Sequence, residues 1–355
     1  MSGFAEQVIA WQKRAGRHDL PWQRDCDPYR IWLSEVMLQQ TQVATVVPYF
    51  ERFVARFPDL QSLARAGEDD VLQLWSGLGY YARARNLHLA ARQIMAQHGG
   101  RFPVLFEEIA ALPGIGRSTA GAIAVFAFNT RHPILDGNVK RVFARYFGIE
   151  GYPGDKAVGQ ALWACAEAQL PRDEVRGYTQ GLMDLGASLC TRSRPRCGDC
   201  PLTPDCVALR HGRVAALPAP RPRRPLPLRV TWMLLLMHGR EVLLEKRPPA
   251  GVWGGLWCLP ELAEQNEAAG SAHTRFGAVI GQPRPLPAVA HGLTHFRLDI
   301  RPLLCEVRTV ELRAGSPGSV WLSLDEALGA AIPAPVRAIL RSLRDSRLDG
   351  AQQID

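Results

Sequence analysis

The chain has no apolar run long enough to cross a bilayer as a helix. Its longest, Trp232-Met-Leu-Leu-Leu-Met237, is the length of a strand. The N-terminus lacks the basic-then-apolar pattern of a secretory signal, so no export is expected. Acidic residues are in deficit: 34 stand against 42 Lys and Arg, a formal net charge of +8 that suits a polyanionic partner. No internal repeat is visible, which argues against a solenoid or propeller. Cysteine is scarce, eight in 355 residues, and half of it is clustered. Clustered thiols without an export signal point to a reducing cytoplasm and to no disulfides. What remains is an ordinary globular composition, 47% hydrophobic and 21% charged, long enough for two cored domains.

The clustered cysteines are Cys190, Cys197, Cys200 and Cys206, spaced C-x6-C-x2-C-x5-C. Four thiolates on one local segment fill the valence of a single [4Fe–4S] cube. Zinc is the competitor, although zinc motifs more often present two tight C-x2-C knuckles. Cys26, Cys165, Cys258 and Cys305 are scattered and are expected to be structural. Between the first two clustered cysteines Arg192, Arg194 and Arg196 alternate, a cationic finger suited to phosphate oxygens.

Residues 1 to about 210 read as helix after helix. Asp27-Pro28 caps a long apolar-rich stretch that runs through Phe57. Helical patterns follow over Glu68–Trp75, Ala82–Gln97, Glu107–Ala111, Arg117–Phe128, Val139–Phe147 and Lys156–Leu170. Residues 213–228 form a proline–arginine linker. Beyond it, strand patterns over Val230–His238, Glu241–Lys246, Phe296–Val307 and Ser319–Leu322, with a closing helix Pro335–Arg344, predict an α+β domain over 229–345 and a tail over 346–355.

Three features carry chemistry. Leu112-Pro-Gly-Ile-Gly116 between two helical patterns (about 107–128) reads as a helix–hairpin–helix, with Gly114 and Gly116 turning the chain and the next helix's amides facing a DNA phosphate. Such a contact positions a protein on DNA without reading bases. Glu35 lies among Ile31, Trp32 and Leu38, surroundings that disfavour its charged form and prepare it to hold a proton. A buried structural glutamate is the alternative. Asp136 precedes a helix in Asp136-Gly-Asn-Val-Lys-Arg141 and reads first as an N-cap.

Together, the hairpin, the following aspartate and the cysteine spacing resemble the base-excision DNA glycosylases of the endonuclease III type. Trp32-Leu-Ser-Glu-Val-Met-Leu-Gln-Gln-Thr-Gln42, Gly77-Leu-Gly-Tyr-Tyr-Ala-Arg-Ala-Arg-Asn86 and Leu182-Met-Asp-Leu-Gly186 narrow the resemblance to the adenine DNA glycosylases, which remove adenine mispaired with 8-oxoguanine. The resemblance implies an all-α helix–hairpin–helix glycosylase domain over 1–212 with an iron–sulfur loop at 190–206, followed by a Nudix-like recognition domain. It makes Glu35 the general acid and base, and Asp136 the carboxylate that stabilises the sugar cation. Gln40 and Tyr80 match positions that enter or press on the base stack, and Gln180 and Gln23 match the adenine pocket.

Ser118 stands where glycosylases that also cut the backbone carry a lysine nucleophile; serine has no amine for an imine, so hydrolysis alone is implied. His291-Gly-Leu-Thr-His-Phe-Arg297 matches the lesion-reading loop of the Nudix-like domain, with Thr294 and His295 best placed to meet the lesion, although Leu293 and Thr294 replace the family's more frequent Phe and Ser. A nucleotide-hydrolysing Nudix domain needs an Arg-Glu-x-x-Glu-Glu helix, and Glu261–Gly281 has none. The expected partner is double-stranded DNA with A·8-oxoguanine or A·G mispairs, the expected form a monomer away from membranes, and the expected cofactor a [4Fe–4S] cluster. The rival readings are a bifunctional glycosylase for oxidised pyrimidines and a non-catalytic iron–sulfur DNA-binding protein.

Overall fold

The computed structural model describes residues 3–222, 225–310 and 318–351. They form two compact units, one of residues 3–65 with 86–222, the other of residues 66–85 with 225–351. No helix among the described residues is long and apolar enough to cross a membrane.

The first unit is all helical. The stretch expected to run from Asp27 through Phe57 is two helices, Pro28–Leu38 and Val43–Arg56. Between them Gln40 adopts a left-handed φ of 58°, which ends the first helix. A further helix, Phe4–Ala15, packs against Val175–Asp184 and places Phe4, Val8 and Trp11 in a core with Phe143, Tyr178 and Leu182. Aromatic contacts reinforce that core, with the Phe4 and Tyr146 rings 4.7 Å apart. The helices Arg117–Phe128, Gly137–Phe147 and Lys156–Ala168 lie close to their expected bounds.

The second unit is α+β. Leu228–His238 runs parallel to Arg297–Val310, and Met233 to Met237 are all buried; a central strand covered on both faces needs a continuous apolar run. Glu241–Lys246 returns antiparallel through the turn at Gly239, and Ser319–Ser323 pairs beside it. The helix Ala268–Phe276 fills the segment where a nucleotide-hydrolysing Nudix helix would lie, and it carries no acidic side chain. The closing helix Ala334–Ala351 continues through the first residues of the expected tail.

Residues 66–85, expected with the helical domain, belong to this second unit. Gln73 Nε2 donates to the Gly329 carbonyl at 2.7 Å, Ser76 Oγ to the Ile332 carbonyl at 3.2 Å, and Lys246 pairs with Asp69. Helical periodicity reports which face is buried and is silent on what buries it.

Candidate active site

Glu35 owes its environment to the helix Pro28–Leu38. Asp27 caps that helix by accepting the Tyr29 amide at 2.9 Å, and Ile31, Trp32, Leu33, Val36 and Met37 are buried along it. The helix packs on Arg117–Phe128, and Glu35, Ser34 and Ile31 line a cavity of about 300 Å³ in the first unit. Burial raises the Glu35 pKa to about 8, and the nearby charge of Asp136 adds to the rise.

Asp136 caps the helix Gly137–Phe147 as its sequence suggests, accepting the Val139 amide at 2.8 Å. Asn138 Nδ2 reaches its other oxygen at 3.4 Å. Burial leaves the Asp136 pKa raised as well, although the Val139 and Asn138 amides and Arg141 offset part of the rise. Both influences on Glu35 push upward. Of the two carboxylates, only Asp136 has amides and a cation that favour its charged form, so Glu35 is the better suited to keep a proton.

Several contacts hold Asp136 from behind. Ser118 Oγ accepts the amide of Leu135 at 2.9 Å. Gly186 packs so closely that a Cβ there would lie 2.5 Å from the Asn138 Cβ. Arg141 donates to Asn138 Oδ1 at 2.8 Å, to the Gly186 carbonyl at 2.7 Å and to the Cys190 carbonyl at 2.6 Å. The sequence marked Gly186 only as part of a motif, and neither Asn138 nor Arg141 as a site residue.

Gln23 and Gln180 both line the Glu35 cavity. The Gln23 amide is engaged at both ends, Oε1 by the Leu20 amide and Nε2 on the Arg17 carbonyl, each at 3.2 Å. Gln180 Nε2 donates to Asp184 Oδ1 at 2.8 Å. Cys26, expected to be structural, is exposed and lines the same cavity, whereas Cys258 and Cys305 are buried.

The hairpin joins the helices Phe106–Ala110 and Arg117–Phe128. Gly114 has a left-handed φ of 78°, and a Cβ on it would come 2.9 Å from the Asn86 Cβ, so glycine is required there. Gly116 differs from expectation: its φ is −95° and a Cβ would meet nothing within 4 Å. It does not make the turn; it leaves open space before the amides of the following helix. Gln39 Nε2 also reaches the Gly114 carbonyl at 3.3 Å. Its neighbour Gln40 is exposed on its left-handed backbone.

Cys190, Cys197, Cys200 and Cys206 are all unpaired and half-buried. Among the described residues no three His, Cys, Asp or Glu side chains stand close enough to hold a single metal ion. The four thiols nevertheless sense one another: burial first, then Cys190, Cys206 and Cys197, raises the Cys200 thiol to about 11. Buried Arg145 organises the loop, donating to the Leu217 and Thr191 carbonyls at 2.8 Å and to Cys190 Sγ at 3.3 Å. Four soft donors on one segment, with a guanidinium already on one sulfur, fit an anionic thiolate-ligated group. Arg192, Arg194 and Arg196 are exposed beside them.

In the second unit Tyr80 is 49% exposed on a left-handed φ of 50°, and Arg83 lies over its ring at 5.5 Å. Gln40 and Tyr80 each occupy a backbone region that costs an ordinary residue on the order of 1–2 kcal/mol, a strain that concentrates at functional positions. The segment 291–297 is the tip of a β-hairpin: His291 and Gly292 end one strand, Leu293 donates to the Phe296 carbonyl at 2.9 Å, and the next strand starts at Arg297. Thr294 and His295 are exposed at that tip.

Residues 33–168 match the HhH-GPD superfamily base excision DNA repair protein family, and residues 231–342 match the NUDIX domain family. The chain is 37% identical to the adenine DNA glycosylase of Buchnera aphidicola subsp. Acyrthosiphon pisum over 342 residues, 96% of this chain and 97% of that one. It is 31% identical to the adenine DNA glycosylase of Homo sapiens, over 96% of this chain and 74% of that one. Among solved structures, a thermostable thymine-DNA glycosylase superposes with a TM-score of 0.54 at 28% identity, over 59% of this chain and 95% of that one. A non-covalent endonuclease III–DNA complex superposes with a TM-score of 0.51 at 20% identity, over 59% of this chain and 94% of that one, a likeness of fold alone.

Proposed function

Because the chain belongs to the adenine DNA glycosylase family, we propose that it removes adenine from duplex DNA where adenine faces 8-oxoguanine or guanine, leaving an abasic site. The observation that carries this reading is the pair of unlike carboxylates: Glu35 on a base-sized cavity with its pKa raised to about 8, and Asp136 beside it with its charge supported.

In this reading the adenine leaves the stack and enters the Glu35 cavity, the usual solution for chemistry on a base. Glu35 gives its proton to the purine N7, and the electrons of the glycosidic bond leave with the base. Asp136 offsets the positive charge that develops on the sugar, as the second carboxylate does in sugar hydrolases. Water then bonds to the sugar carbon and returns a proton to Glu35. Ser118 offers no amine, so no imine forms and the strand stays intact.

DNA is held without sequence reading by the open hairpin amides before Arg117 and by Arg192, Arg194 and Arg196. Gln40 and Tyr80 fill the gap in the stack, and Thr294 and His295 meet the 8-oxoguanine. Cys190, Cys197, Cys200 and Cys206 hold a [4Fe–4S] cluster, which supplies a rigid crosslink for the arginine loop. The protein acts as a monomer in the cytoplasm.

The test offers the protein duplexes with A·8-oxoguanine, A·G and A·T pairs and counts alkali-labile abasic sites. Preferential cleavage of the first two supports the reading; attack on oxidised pyrimidines with direct strand breakage would replace it with the bifunctional one.

A further inference from the structure

Asp184 takes no part in the chemistry above, yet it holds a residue that faces the cavity. It is 1% exposed, and its Oδ2 accepts the Arg17 amide at 2.8 Å. Its Oδ1 accepts Arg17 Nε at 2.7 Å and Gln180 Nε2 at 2.8 Å, and Arg17 Nη2 lies 2.5 Å from it as an ion pair. A carboxylate paired with a guanidinium only accepts, so Gln180 must turn its nitrogen toward Asp184 and its oxygen away. Gln180 and Arg17 line the cavity, and Asp184 lies behind them. The other amide on the wall, Gln23, is tied at both ends to the Arg17–Leu20 loop. Gln180 Oε1 is thus an acceptor whose direction is set from outside the pocket.

We infer that Asp184 is a positioning residue for base selection: by holding the Gln180 amide with its oxygen inward, it favours a purine with an exocyclic amine over one with a carbonyl in the same place. This rests on the reading that adenine enters the Glu35 cavity. Adenine's 6-amino group donates to such an oxygen, whereas hypoxanthine presents a second acceptor to it. A glutamine free to rotate would serve either base by flipping its amide. The buried carboxylate removes that option, and the mismatch is worth roughly ten- to hundredfold in rate or affinity.

Full-length protein is tested in single turnovers on duplexes that place adenine, hypoxanthine or unsubstituted purine opposite 8-oxoguanine. Release of none of the three by the wild type overturns the glycosylase reading and this inference with it. If adenine is released, Asp184→Asn is the decisive variant, because its amide can donate to Gln180 and free it to flip. The adenine-to-hypoxanthine rate ratio is expected to narrow by roughly tenfold or more. Equal slowing on both bases, with the ratio kept, makes Asp184 merely structural and overturns the inference. Should Asp184→Asn fail to fold, Gln180→Leu keeps both Arg17 hydrogen bonds to Asp184 and their ion pair. That variant is expected to lose the preference for adenine over unsubstituted purine, and a retained preference overturns the inference equally.

Discussion

Ser118 Oγ accepts the backbone amide of Leu135 at 2.9 Å, and Leu135 is the residue before Asp136. The exit of the hairpin is thereby bonded to the loop that presents the second carboxylate. A short hydroxyl can make this contact, whereas a lysine ammonium has no acceptor to offer an amide. The side chain that offers no imine-forming amine thus also ties down the chain next to Asp136.

Ser118→Ala should leave the Leu135 amide without that acceptor, costing on the order of 1 kcal/mol. Adenine release in a single turnover should slow several-fold while duplex affinity stays the same. Ser118→Lys should slow release further but allow borohydride to trap protein on the abasic product. Gel mobility of the borohydride-treated mixture reads the second effect, and an unmodified wild type that traps equally well would contradict the hydrolytic assignment.

Asp136→Asn keeps a side-chain oxygen for the Val139 amide and removes the charge. The helix Gly137–Phe147 should stay capped and the melting temperature should change little, because asparagine caps about as well as aspartate. Adenine release should nevertheless fall by at least ~10²-fold. Near-normal turnover in this variant would reduce Asp136 to a helix cap.

Arg145 is 3% exposed and bonds the Thr191 and Leu217 carbonyls as well as Cys190 Sγ. Arg145→Met fills similar volume without donors and strands buried carbonyls, at about 3 kcal/mol in total. Iron per chain, about four in the intact protein if one cube is bound, should drop together with the melting temperature. Full iron content and an unchanged melt would show that the loop does not depend on this arginine.

The proposed recognition of 8-oxoguanine is best probed in the full chain. Residues 66–85 pack with the C-terminal unit, so cutting the chain after the helical domain would strip them of their partners. Thr294→Ala should instead narrow the affinity ratio between A·8-oxoguanine and A·G duplexes by roughly tenfold, with single-turnover chemistry intact. Filter binding at fixed salt measures that ratio.

Glu35 keeps its proton to a higher pH when folded than when unfolded, so stability is lost as pH climbs from the ordinary carboxylate range toward about 8. Glu35→Gln has no proton to lose. At pH 7.5 the variant should be more stable than the wild type by on the order of 1–3 kcal/mol, and the two should converge near pH 4.5. Paired thermal melts across that range show it.

Much of this is legible in the sequence alone. The bounds of Glu68–Trp75 and Ala82–Gln97 coincide with the observed helices, because strong periodicity with glycine punctuation leaves little choice. Glu35 stood out as a carboxylate in an apolar frame, and Asp136 as a cap. The break at Gln40 was hidden, since its left-handed backbone is imposed by its surroundings and glutamine is no turn former. Arg17 and Asp184 were hidden for a different reason: they lie 167 residues apart in sequence, and only the fold makes them a pair. Gly116 looked like a turn glycine and proved to be a vacancy before a helix start.

The most direct measurement is the rate of free adenine release from an A·8-oxoguanine duplex in single turnovers, followed from pH 6 to 9 for the wild type and Glu35→Gln. Glu35 acts as an acid, so the wild-type rate should fall as pH rises through about 8, where the proton is lost. Glu35→Gln should be slower by at least ~10²-fold at pH 7, with duplex affinity preserved and no such fall. A variant that releases adenine at near wild-type rate, or a wild-type rate indifferent to pH across that range, would contradict the assignment of Glu35 as the acid of this site.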